Sequence, residues 1–121
     1  PVGMTSTWIE DGADSRLVAL WPGAVDYGDD LAFPFAVAKV QCERYAPALV
    51  PDEVTGLIDV PDHYVAGQVL QCRALVRAGL VGDGGGAGNV EDAVTLFPMD
   101  WTVKNLLRPR RGRPYFGGVR P

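Results

Sequence analysis

Few residues in this chain have side chains suited to chemistry: a single histidine, two cysteines and a few pairs of adjacent acids. A nucleophilic site needs a base beside its nucleophile and a third group to orient that base. No Ser-His-Asp or Cys-His arrangement surrounds His63, which reads instead as an exposed residue in the first turn of a helix. Cys42 and Cys72 lack a CxxC spacing, and a zinc site takes about four ligands at characteristic intervals. They read as buried free thiols that pack like small apolar groups. The acidic pairs at 29–30, 52–53 and 91–92 could hold a cation or act as acid–base partners. Each falls at a turn or a helix cap, where solvated carboxylates are common. The glycine-rich stretch VGDGGGAGN (81–89) lacks the preceding strand, following helix and Lys-Ser/Thr pair of a phosphate cradle, so it reads as a long loop giving slack. No catalytic residue, cofactor or metal is expected.

What remains is charge. Residues 1–103 carry all fifteen acids against five bases, a balance of −10, whereas residues 104–121 carry six bases and no acid. An acidic body with a basic tail is an interaction pattern. Lys104, Arg108, Arg110, Arg111, Arg113 and Arg120 are interleaved with Tyr115 and Phe116. That mixture suits phosphate neutralisation with base stacking, and equally a protein contact, where arginine and aromatic residues concentrate. A solvated tail would not need the two aromatic residues.

The elements behind this tail are helical. Asp14 or Ser15 can cap a short helix over Arg16 to Leu20, stopped by Pro22-Gly23. Asp29 or Asp30 is the expected N-cap of a second helix running from Leu31 or Pro34 to Tyr45, with Phe35, Ala38, Cys42 and Tyr45 on one face. Residues 50–60 form a turn-rich connection with room for a strand-like piece. Pro61-Asp62 opens the clearest helix, whose stripe of Val65, Val69, Cys72 and Val76 is widened by Ala66, Leu70 and Leu80 and closed by Gly79. The alternating AVTLF (93–97) predicts a short strand. Asp100 caps a last helix, Trp101 to Leu107, offering Val103, Leu106 and Leu107 for packing.

The expected fold is therefore mainly α: a small bundle of three to four helices with one short β-strand or hairpin. The divisions are an extended N-terminal lead (1–14), a helical domain (15–107) and a basic C-terminal arm (108–121). A 121-residue chain supports one domain with a modest core. No apolar run approaches the roughly 20 residues that span a bilayer, and no signal-peptide pattern opens the chain, so a protein soluble in the cytosol is expected.

Four segments carry a resemblance to a known family. FPMDWTVKNLLRPRRGRP (97–114), following QVLQCRALVRAG (68–79), resembles the C-terminal half of the head-to-tail connector proteins of actinobacterial tailed phages. LVALWPGA (17–24) and QCERYAPAL (41–49) are similar to earlier parts of that family, and the likeness spans about residues 15–115. It implies a non-enzymatic adaptor that forms a homo-oligomeric ring, typically dodecameric, on the portal protein. Such a ring extends the channel through which genomic double-stranded DNA passes and carries the stopper or tail-completion protein. The implied location is the head–tail interface of the virion, after assembly in the host cytoplasm. By the same analogy Arg108, Arg110, Arg111, Arg113, Tyr115 and Phe116 would contact the portal. The other classes weighed are a small DNA-binding module using the basic arm and, last, a small enzyme or regulatory subunit.

Overall fold

The computed structural model describes residues 6–80 and 89–108. Five α-helices occur among them: α1 (Leu17–Leu20), α2 (Ala32–Tyr45), α3 (Asp62–Arg77), α4 (Val90–Leu96) and α5 (Trp101–Leu107). A 3₁₀ segment, Pro22–Leu31, kinks at Gly28 and joins α1 to α2. The α2–α3 pair is the centre of the domain; α4 packs on α2, and α5 chiefly on α3.

Proline sets most of the helix ends. Pro34 is the third residue of α2, where its missing N–H would have had no intrahelical acceptor anyway. α2 ends because Ala46 precedes Pro47 and is driven to extended backbone, φ −75° and ψ 157°. Phe97 before Pro98 stops α4 in the same way, at φ −114° and ψ 108°. α3 closes differently. Gly79 takes φ 101°, the Gly79 and Leu80 amides return to the carbonyls of Val76 and Leu75, both at 2.9 Å, and Leu80 is folded back into the core.

The faces follow the helical period, with instructive exceptions. Phe35, Ala38 and Cys42 of α2 are buried, as are Val65, Val69, Cys72 and Leu75 of α3 and Val103 and Leu107 of α5. The α3 stripe does not widen over Leu70, which is 36% exposed; it widens on the opposite side, over Tyr64, Gln68 and Gln71. The expected aspartate caps of the first two helices are also different in fact. α2 is entered from the 3₁₀ segment through Leu31, with no side-chain cap. The Asp14 carboxylate accepts from the Arg16 amide and pairs with the Arg16 guanidinium at 2.8 Å.

No strand is present among the described residues, at 93–97 or at 50–60. The segment read as a strand is α4. Asn89 caps it, its side chain accepting from the Asp92 amide at 2.9 Å, and Glu91 and Asp92 lie in the first turn where negative charge is favourable. The apolar residues that alternate also fit a helix: Val90, Ala93, Val94 and Phe97 pack inward, leaving Thr95 and Leu96 outside. Short β-branched runs carry a weak strand preference, which capping and burial against α2 override here.

The described part of the lead belongs to the domain. Ile9 is 1% exposed, and Gly12 passes so close to the 3₁₀ segment that a Cβ would lie 3.1 Å from the Gly28 carbonyl oxygen and Leu31 Cδ1. The glycine-rich stretch 81–88 and the arm from residue 109 onward lie outside the described residues.

Candidate interaction site

Of the six residues predicted to meet a partner, Arg108 is within the described structure; Arg110, Arg111, Arg113, Tyr115 and Phe116 lie outside the described residues. Arg108 shows how the arm leaves the body. Its Nε donates to the Tyr45 carbonyl oxygen at 2.5 Å, and its guanidinium lies 5.4 Å from the centroid of the Tyr45 ring. Lys104, one helical turn earlier, places its Nζ 5.7 Å from the same ring. Two cations thus approach one aromatic ring, an attraction worth roughly 0.5–1 kcal/mol each at an exposed site. Arg44, next to Tyr45, pairs with Glu91 at 2.6 Å. Lys104 and Arg108 thus bring the end of α5 against the last turn of α2.

Three buried glutamines hold the surrounding segments in place. Gln71 Nε2 donates to Gln41 Oε1 at 2.7 Å and to the Pro98 carbonyl at 3.3 Å, while its Oε1 accepts from the Asp100 amide at 2.9 Å. Gln41 Nε2 donates in turn to the Phe97 carbonyl. The FPMD turn between α4 and α5 is therefore stitched to α2 and α3 through the buried side chains of Gln41 and Gln71. Asp100, fixed by that contact, caps α5 by accepting from the Thr102 amide at 3.1 Å. Gln68 does the same for the lead: it accepts from the Ile9 amide at 2.8 Å and donates to the Ile9 carbonyl at 2.7 Å. An unpaired buried polar group costs about 1–3 kcal/mol, so these bonds matter more for what their loss would expose than for their net strength.

These glutamines are absent from the sequence-based site. A signal existed: Gln68 and Gln71 occupy positions on the same side of α3 as Val65, Cys72 and Leu75. Polar residues at core spacing mark a place where backbone without its own secondary structure must be satisfied.

The exterior holds the opposite anomaly. Val50, Val54, Leu57 and Ile58, all in the α2–α3 connection, are 82%, 93%, 53% and 44% exposed. Ile58 also lines an open cleft of about 530 Å³ with Trp8, Lys39, Glu43, Leu49 and Tyr64. Asp52 shapes this loop by accepting from the amides of Val54 and Thr55 at 2.7 and 2.9 Å, which holds its carboxyl below the usual carboxylate range. Elsewhere Leu96 and Trp101 are 64% and 65% exposed, and Trp101 lines a second open cleft of about 300 Å³.

The residues singled out for chemistry sit apart from these surfaces or serve structure. His63 is exposed at the start of α3, its ring edge-on to Tyr64 with centroids 4.8 Å apart. Cys42 and Cys72 are buried free thiols; burial pushes Cys42 up to about 12 and raises Cys72 as well. Asp52 is a turn-former, Glu91 an ion-pair partner, and Asp29 and Asp30 are exposed in the 3₁₀ segment. Among the described residues no three potential ligands cluster as a metal site, and no helix is long and apolar enough to cross a membrane. No family model matches the chain, and no curated protein or solved structure is similar enough to it to stand as a relative.

Proposed function

We propose that this chain is a structural assembly subunit, an adaptor of the head-to-tail connector type whose basic arm grips a portal ring while its body joins neighbouring copies. The observation that carries this reading is the anchored root of the arm. The chain leaves α5 pinned to the end of α2 by Arg108 and Tyr45, on the surface and clear of the core. Cations beyond that point start from a defined place, which lowers the ordering cost of a tether that binds another macromolecule. The exposed aliphatic loop and Trp101 add the apolar surface that a ring-forming subunit would cover with its neighbours.

In this reading the acidic body faces the channel and repels DNA phosphate, so that the genome slides, while the arm holds on outside the lumen. The full-length triple variant Arg110→Glu, Arg111→Glu, Arg113→Glu tests it. With portal rings from the same phage genome, the wild-type chain co-sediments and the variant does not. Undiminished binding by the variant removes the arm from that role. Tight binding of the wild-type chain to duplex DNA without portal, falling steeply with salt, selects the DNA-binding module instead.

A further inference from the structure

The open cleft beside Ile58 has an aromatic and aliphatic floor. Trp8, Leu49, Ile58, Val60 and Tyr64 line it, with the Trp8 and Tyr64 rings 6.1 Å apart and tilted by 36°. The Tyr64 hydroxyl donates to the Pro47 carbonyl at 2.7 Å, which holds the wall formed by residues 47–49 in place. At about 530 Å³ the cleft has room for large side chains.

Its rim is acidic. Thr7, Trp8 and Glu10 also border an adjoining cleft of about 380 Å³ that is lined further by Asp11 and Asp14. Together the two clefts carry Glu10, Asp11, Asp14 and Glu43 against Lys39. Arg16 neutralises Asp14 at 2.8 Å, whereas Glu10, Asp11 and Glu43 join no ion pair among the described residues. Three acids against one base, around exposed aromatic surface, suit an occupant that is cationic and aromatic at once.

The chain carries such a segment and starts it beside the cleft. Arg108 is tied to the Tyr45 carbonyl. Pro47 and Leu49 of the cleft wall follow Tyr45 by two and four residues, at most about 7 and 14 Å of chain. Beyond Arg108, PRRGRPYFGGVRP (109–121) holds four arginines, no acid and the adjacent Tyr115 and Phe116. Tyr115 is seven residues past Arg108, a reach of up to about 23–25 Å. We infer that Tyr115 and Phe116 seat in the Trp8–Tyr64 cleft of their own chain, with the arm's arginines against Glu10, Asp11 and Glu43. So short a tether gives a chain's own arm an effective concentration in the millimolar range, which favours it over the arm of a second copy. The docking does not rest on the portal reading; where both hold, the portal draws the arm out of the cleft before it is gripped.

Paramagnetic relaxation in the full-length chain tests it. A nitroxide on Gly118→Cys lies two residues past Phe116, and the native thiols are buried and stay unlabelled. In nitrogen-15 protein, relaxation enhancement at the Trp8, Ile58 and Val60 amides should be at least about threefold greater than in the same labelled chain carrying Tyr115→Ser and Phe116→Ser. Glu10→Lys with Glu43→Lys, both at exposed positions, should reduce it by about threefold at low salt. A mixture of nitroxide-bearing chains at natural isotope abundance with nitrogen-15 chains lacking the nitroxide should leave these amides unchanged. Enhancement that is equal with and without the two aromatic side chains, or indifferent to the charge reversal, overturns the inference. Enhancement in the mixture equal to that within one chain gives the cleft to a second copy's arm and overturns it as well. Portal co-sedimentation of the arginine variant is a separate measurement, so the cleft docking can fail while the tether stands, and the reverse.

Discussion

The interior of this protein and its longest described connection have exchanged their expected chemistry. The packed centre between α2 and α3 contains Gln41, Gln68 and Gln71, at 4%, 0% and 0% exposure, whereas the 50–58 loop displays four aliphatic residues to solvent. The glutamines are inside because the lead and the FPMD turn cross the core without secondary structure of their own, leaving backbone groups that nothing else can pair. The aliphatic residues have no such internal reason. Polarity inside completes the fold, whereas the exposed aliphatic residues add little to it.

Gln68→Leu should break the interior half of this contrast most severely. It leaves the Ile9 amide and carbonyl unpaired or forces the lead off the core, a loss of about 3 kcal/mol in urea unfolding. A stability within 1 kcal/mol of wild type would show that the lead contributes little. Gln71→Leu should cost about 2 kcal/mol, because the Asp100 amide can find water once the turn relaxes. Hydrogen exchange should then accelerate in α5 before α3; uniform acceleration would mean that the turn is not a separate unit.

The exterior half predicts near silence. Val54→Asp should change unfolding stability by less than about 0.5 kcal/mol, since its side chain is 93% exposed; a larger loss would place the valine in the chain's own packing. Glu91→Gln, which removes the exposed ion pair with Arg44, should also cost under about 0.5 kcal/mol and less still in high salt. The smallest expected effect is that of Asp52→Asn. Since the folded carboxyl titrates below its ordinary value of 3.8, its stabilising contribution is present above that value and disappears as pH falls through the lower folded one. The variant should therefore melt slightly lower than wild type at pH 7 and alongside it in strong acid. A gap that persists in acid would assign the difference to something other than the charge.

The four helices expected from apolar spacing and proline stops are all present, with α3 the clearest, because a stripe of Val65, Val69 and Cys72 bounded by Pro61 and Gly79 has few other ways to fold. Local patterns misled where two periods fit the same residues. Val90, Ala93, Val94 and Phe97 satisfy a helix face, while AVTLF taken alone alternates; the Asn89 cap decided between them, and that cap is legible only once a helix is considered. The caps foreseen at Asp29 or Asp30 failed because the 3₁₀ segment already delivers the chain to α2 in helical geometry, leaving a capping carboxylate nothing to do. Of the candidate contact residues, Arg108 alone falls in the described structure, and its engagement with Tyr45 depends on α5 docking beside the end of α2. Spacing along the chain carries no trace of a pair 63 residues apart.

That pair has a mechanical consequence. A pull on the chain beyond residue 108 does not act on the free end of α5 alone. The load divides at Arg108: its amide carries part to the Lys104 carbonyl in the last turn of α5, and its side chain carries part to the Tyr45 carbonyl at the end of α2. A cable fastened in this way shares its strain between the frame and the fitting through which it leaves.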